Sequence, residues 1–117
     1  MNKFLLCPLL SAVVAAPAYA TGGLVCSTVG ERPIHVNLVI GHNAVPAVIQ
    51  ARLTDNGRDV PVTLAQSWIE RDTIRVDLVD PNVEHHELRL SIKSKGENYD
   101  GSLWRGGKRR WVRCFEP

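Results

Sequence analysis

The chain is poor in the residue types that usually announce chemistry. Its 117 residues include three Cys and only seven aromatics: three Trp, two Tyr and two Phe. No paired-cysteine spacing suits a zinc site, and no Gly-rich segment has the form of a phosphate loop. None of Ser27, Ser67, Ser91, Ser94 or Ser102 stands in a nucleophile-elbow context. The acid pairs Asp77/Asp80 and Glu84/Glu87 have no evident reason to be buried together. General acid–base work depends on such burial to shift a carboxyl pKa. Net charge is also lacking, with 14 basic against 12 acidic residues. A near-neutral total gives no whole-chain argument for nucleic acid or for an anionic membrane. Finally, there is no helical period after residue 20, no internal repeat and no low-complexity run. These absences predict a protein that is not an enzyme and has neither cofactor nor metal.

The four His do not reverse that reading. His35 falls on the polar side of a predicted strand and His42 in a predicted turn. In Glu84-His85-His86-Glu87 the two His are adjacent. Adjacent residues on a strand point to opposite faces, which makes a shared metal site awkward.

What the chain does have begins with its leader. Asn2-Lys3 is a short positive segment, Phe4 to Ala16 is apolar, and Ala18-Tyr19-Ala20 has the small-x-small form of a cleavage site. Residues 1–20 are therefore expected to be a signal peptide, and 21–117 a single mature domain. The apolar run is short for a transmembrane helix, so no membrane span is expected in the mature chain. Cleavage removes Lys3 and Cys7, leaving 13 basic and 12 acidic residues. Two cysteines remain, Cys26 and Cys114, near the two ends of a chain sent to an oxidising compartment. One disulfide joining first strand to last is the simplest reading. Two free thiols or a metal pair are the alternatives. The expected location is periplasmic or secreted.

Apolar residues alternate with polar ones through most of residues 24–114. Predicted strands contain Cys26, then Ile34/Val36/Leu38/Ile40, then Ile49/Ala51/Leu53. They continue with Val60/Val62/Leu64 running on toward Trp68, Ile74/Val76/Leu78, and Leu88/Leu90/Ile92. Turns are expected at Gly41-His42-Asn43, Asp55-Asn56-Gly57-Arg58, Glu70-Arg71-Asp72, Asp80-Pro81-Asn82 and Lys95-Gly96-Glu97-Asn98. About eight short strands with one apolar face each predict an antiparallel all-β domain, either a small sandwich or a closed barrel.

The last hairpin, Tyr99–Cys114, is the most informative stretch. If Gly106-Gly107 forms its two-residue turn, Arg105 pairs with Lys108, Trp104 with Arg109, Ser102 with Trp111, Asp100 with Arg113, and Tyr99 with Cys114. Tyr99, Gly101, Leu103, Arg110, Val112 and Cys114 then share the core face. Asp100, Ser102, Trp104, Arg109, Trp111 and Arg113 share the other, and a slip of one residue would exchange the two. Indole stacks on sugar rings and guanidinium planes, and Arg grips carboxylates and phosphates in fork geometry. Trp104, Arg109, Trp111 and Arg113 are therefore the candidate ligand-binding residues. An anionic glycan, a lipid headgroup or an acidic protein surface would suit them, whereas a structural role would pack both Trp under a neighbouring strand. Nucleic acid fits the residue mixture but not the compartment or the total charge.

The tail Ser94-Lys95-Gly96-Glu97-Asn98-Tyr99, Gly101-Ser102-Leu103-Trp104, Gly107-Lys108 and Val112-Arg113-Cys114 resembles the C-terminal part of small exported bacterial β-barrel proteins. Among these it resembles, over roughly 20 residues, the periplasmic inhibitors of c-type lysozyme. Their Ser-Gly-x-x-Tyr element appears here with one extra residue, as Ser94-x-Gly96-x-x-Tyr99. Their Lys-Gly appears reversed, as Gly107-Lys108. The resemblance implies a β-barrel with an early-to-late disulfide and a protein such as lysozyme as partner. Two readings follow: a non-catalytic binding or inhibitor module of the bacterial envelope, or a structural component whose C-terminal hairpin packs on an assembly partner.

Overall fold

A computed structural model describes residues 21–42 and 45–117. The predicted leader and Asn43 of the predicted Gly41-His42-Asn43 turn lie outside them. Gly41 and His42 themselves belong to a strand, not to a turn.

Nine strands make up the described residues: β1 (Thr21–Thr28), β2 (Ile34–His42), β3 (Pro46–Asp55), β4 (Arg58–Val60), β5 (Thr63–Glu70), β6 (Thr73–Val79), β7 (His86–Lys95), β8 (Asn98–Arg105) and β9 (Lys108–Phe115). No helix long and apolar enough to cross a membrane occurs among them. All nine belong to one antiparallel sheet, in the order β4-β3-β2-β1-β9-β8-β7-β6-β5. The expected all-β fold is present, but it is neither a sandwich nor a closed barrel. A sandwich needs two sheets, and here there is one. Closure would need β4 to pair with β5, and these stand at opposite ends of the order. Pro61 interrupts the expected run from Val60 to Trp68, because it offers no N–H to continue a ladder. The result is a curled half-barrel, with β5 approaching β3 across the open seam.

The turns follow from backbone sterics. Asn56 and Gly57 both have positive φ, at 52° and 84°, and so do Gly106 and Gly107, at 61° and 77°. Two consecutive positive φ values make the primed turn whose twist matches that of the flanking strands. With the second turn fixed, the register of β8 on β9 is the expected one, from Tyr99↔Cys114 to Arg105↔Lys108.

The concave face forms the core. Leu38, Leu53, Leu78, Leu88, Leu90, Leu103, Val36, Val76, Val112 and both cysteines of the bridge have almost no exposed surface. Each large aliphatic side chain buried in this way contributes about 1.5–3 kcal/mol. Cys26 lies directly opposite Cys114 where β1 pairs with β9, with Cα atoms 4.0 Å apart, and the two are disulfide-bonded. The bridge spans 88 positions of sequence, and closing so long a loop is worth about 4–5 kcal/mol in the chain-entropy account.

Three β-bulges depart from strict alternation. On β3, Val39 pairs with Gln50 and Ile40 with Val48, so Ile49 is the extra residue. Val48 therefore enters the core, and Ile49, expected there, is exposed. On β5, Leu64 pairs with Leu78 and Gln66 with Asp77, leaving Ala65 extra. On β7, Leu78 pairs with Leu88 and Val79 with His86, leaving Glu87 extra. A bulge bends its strand and re-aims the side chains beyond it, which helps a sheet of this width to curl.

Arg105 ties the curled sheet across its mouth. Its Nε donates to Asp55 Oδ2 at 2.7 Å, and its Nη1 to the backbone oxygen and Oε1 of Glu87, at 3.0 and 2.9 Å. Asp55 ends β3, so the contact joins strands that are not neighbours in the sheet. Partial burial of Arg105 opposes its charge, but the hydrogen bonds it donates to Asp55 and Glu87 prevail and raise its pKa. Nearby, Arg110 occupies a core-face position at the mouth. Its guanidinium donates to the carbonyl oxygens of Arg32 at 2.8 Å and Val29 at 2.9 Å, pinning the β1–β2 turn.

Two predictions follow from these contacts. Arg105→Ala should lower unfolding free energy by about 1–2 kcal/mol, less than for a fully buried pair because water still reaches the site; denaturant titration checks it. Gly101 sits between Ile92 and Val112, and a Cβ there would overlap the Ser91 carbonyl oxygen and lie 2.8 Å from the Ile92 Cα. Because those neighbours are backbone, Gly101→Ala should cost about 2 kcal/mol or more, read as a lowered melting temperature with the disulfide intact.

Candidate functional site

The convex face of β5–β9 carries the candidate residues. Strand registers align its outward side chains into three rows. The first is Gln66, Asp77, Arg89, Trp104 and Arg109. The second is Trp68, Arg75, Ser91, Ser102 and Trp111. The third is Glu70, Thr73, Lys93, Asp100 and Arg113. Neighbours within a row are one strand spacing apart, about 4.8 Å, and successive rows are separated by two residues of rise, about 6.7 Å.

All four sequence-predicted residues stand on this face, and both hairpin indoles are open to solvent. Trp104 is 37 % exposed and Trp111 46 % exposed. They are diagonal neighbours across β8 and β9, a separation that large side chains can bridge. Packing of these indoles under another strand, the structural alternative, is not what the fold shows.

The cations are held in fixed positions. Arg113 Nε donates to Asp100 Oδ1 at 2.8 Å and its Nη2 to Oδ2 at 3.1 Å, the two-pronged geometry that a carboxylate favours. The same guanidinium carbon lies 5.1 Å from the centroid of the Trp111 ring, within cation–π range. Asp100 thus orients Arg113, and Arg113 orients Trp111. Arg109 Nε donates to Ser102 Oγ at 3.0 Å on the next strand, so Trp111 is flanked along β9 by two anchored guanidiniums. The hydrogen bond from Arg113 holds the Asp100 carboxyl below the ordinary carboxylate range, and the carboxylate raises Arg113 in turn.

Reading from sequence missed the third indole. Trp68 is 51 % exposed and lies in the same row as Trp111. Strict alternation from Leu64 would have turned it inward, but the bulge at Ala65 reverses the parity of β5. The signal was present in the spacing. Leu64 and Ile69 are five residues apart and both pack against the core, which requires one inserted residue between them. Arg75 and Arg89 were missed with Trp68. Every Trp of the chain therefore stands on one face, and the core contains none.

The other sequence motifs lie elsewhere. Ser94 pairs with Tyr99 at the β7–β8 turn, whereas Gly107-Lys108 lies at the β8–β9 turn, at the opposite end of β8. His35 Nδ1 is 2.8 Å from Ser27 Oγ across β1 and β2. Asp80 caps the β6–β7 loop, accepting from the backbone N–H groups of His85, Glu84 and Asn82. No group of three or more metal-capable side chains occurs among the described residues.

Fold and face together define a class: a disulfide-tied antiparallel half-barrel presenting an indole-and-guanidinium surface on its convex side. Comparison with known protein families, with curated proteins and with solved structures returns no match.

The Asp100–Arg113 pair predicts a response to acid. A carboxyl whose folded pKa is depressed contributes stability above its unfolded value, near 3.9, and loses it as pH falls through the lower folded value. Asp100→Asn should flatten the stability–pH curve below about pH 4 and leave the curve above that pH parallel to the parent's. Thermal melts between pH 2 and 7 check this.

Proposed function

We propose that the protein is a non-catalytic binding module of an extracytoplasmic compartment, with the convex face of β5–β9 as its ligand surface. The observation that carries the reading is the concentration of all three indoles on that face, with Arg113 stacked on Trp111 and anchored by Asp100. Trp averages high burial in folded domains, and the aliphatic core here leaves none for internal packing. Exposed Trp and Arg are the residue types that dominate binding energy when they anchor a ligand. The disulfide supports an oxidising location. The hairpin residues Trp104, Arg109, Trp111 and Arg113 are the contact set this reading assigns.

The test is intrinsic fluorescence during titration with cell-wall glycan, lipopolysaccharide or lysozyme. At least one should shift or quench the emission, and Trp111→Ala should weaken that interaction by about tenfold or more without altering the fold. The same absence of response to all three would overturn the reading. A constitutive complex recovered from the envelope, with the indoles protected from oxidation, would transfer the face to the assembly role instead.

A further inference from the structure

We propose that the groove between Trp68 and Trp104 is an acidic-oligosaccharide site, in which sugar rings stack on the two indoles and a sugar carboxylate pairs with Arg75. This rests on the binding-module reading and gives it a ligand class. It also moves the specificity-determining contacts away from the hairpin alone, to β5, β6 and β7.

The groove has a volume of about 380 Å³ and runs over β6 and β7. Trp68 on β5 and Trp104 on β8 bound it, three strand spacings and one row apart, or roughly 16 Å. Between them lie Arg75, Asp77, Arg89 and Ser91. Two of the charges are already matched, since Arg89 Nε donates to Asp77 Oδ1 at 3.1 Å. Arg75 is exposed and has no hydrogen-bond or ion-pair partner among the described residues. The groove therefore presents two apolar planes, one unmatched guanidinium, a hydroxyl at Ser91 and a carboxylate at Asp77.

That combination selects a ligand. A sugar ring has an apolar face for indole and hydroxyl edges for Ser91 and Asp77. An acidic substituent supplies the counter-charge that Arg75 lacks, in the fork geometry that guanidinium favours. A membrane surface fits less well. The groove's lining includes Arg75 and Ser91 between its two indoles, and a flat bilayer would rest on the rim of such a groove, whereas a chain of sugar rings can enter it. A free anion would leave both indoles unused.

The experiment titrates the full mature chain with polygalacturonate oligomers, neutral dextran oligomers of equal length, and vesicles containing phosphatidylglycerol. Fluorescence and calorimetry are read together. The parent should bind the galacturonate oligomers, with affinity falling as salt rises, and bind dextran about tenfold more weakly or worse. Arg75→Gln should abolish that preference, and Trp68→Leu should weaken galacturonate binding by about tenfold. Arg52→Gln, on the far side of the sheet and paired with Asp59, should bind as the parent does. Equal affinity for both oligomers, or no effect of Arg75→Gln and Trp68→Leu on a measurable galacturonate interaction, would overturn the proposal. Vesicle binding without oligosaccharide binding would also overturn it, while leaving the binding-module reading standing. Silence toward all three probes, together with silence toward cell-wall glycan, lipopolysaccharide and lysozyme, is the result that removes both.

Discussion

The pairing of β1 with β9 is the constraint on which the rest depends. β1–β4 form one meander and β5–β9 another, and among the described residues this ladder is the one strand pairing between them. The buried Cys26–Cys114 bond lies within it, and its entropic worth exceeds that of any single buried aliphatic residue. With the two meanders continuous, one concave face is wide enough to bury an aliphatic core. Without that join, each would be an isolated sheet with an uncovered apolar side. Arg105 adds a side-chain tie across the curled sheet, because its partners Asp55 and Glu87 come from separate meanders.

The core decides what remains for the surface. It is built from Leu, Ile, Val and the disulfide, with Tyr99 packed at its margin. Indole is therefore free to stand outside, where it contributes nothing to the interior. Exposed Trp on a small domain carries a solubility penalty. Here each has a guanidinium beside it: Trp111 has Arg109 and Arg113 along its strand, Trp104 has Arg89 and Arg109 across its strands, and Trp68 has Arg75 on the neighbouring strand. Cation–π contact with Arg113 covers part of the Trp111 ring while leaving the remainder accessible.

Much of this was legible in the sequence, for local reasons. Gly106-Gly107 and Asn56-Gly57 dictate their turns because few residues tolerate positive φ, and each turn fixes the register of its hairpin. Hence the faces of Tyr99–Cys114 could be assigned residue by residue, and the cysteine bridge followed from two thiols. What could not be read is non-local. Ile49, Ala65 and Glu87 are bulges, and each invalidates the alternation beyond it, which is why Ile49 was expected inside and Trp68 was not recognised as outward. Half-barrel rather than sandwich is a matter of curvature, set by those bulges, by the missing side chain of Gly101 and by the reach of Arg105. None of these has a period. The candidate face was correspondingly half visible: its β8–β9 portion came from a turn, and its β5–β7 portion depends on a bulge.

The position of the last strand has a kinetic consequence. Every other ladder in the sheet joins segments close in the chain, so hairpins can assemble while synthesis is still under way. The ladder made by Val112 to Phe115 cannot, since its partner is β1, separated from it by seven other strands in the chain. The two meanders therefore stay separate ribbons, each with an exposed apolar side, until β9 emerges. Oxidation of Cys26 and Cys114 then locks the open nine-strand order in a single late event, and loss of β9 leaves the two meanders without their join.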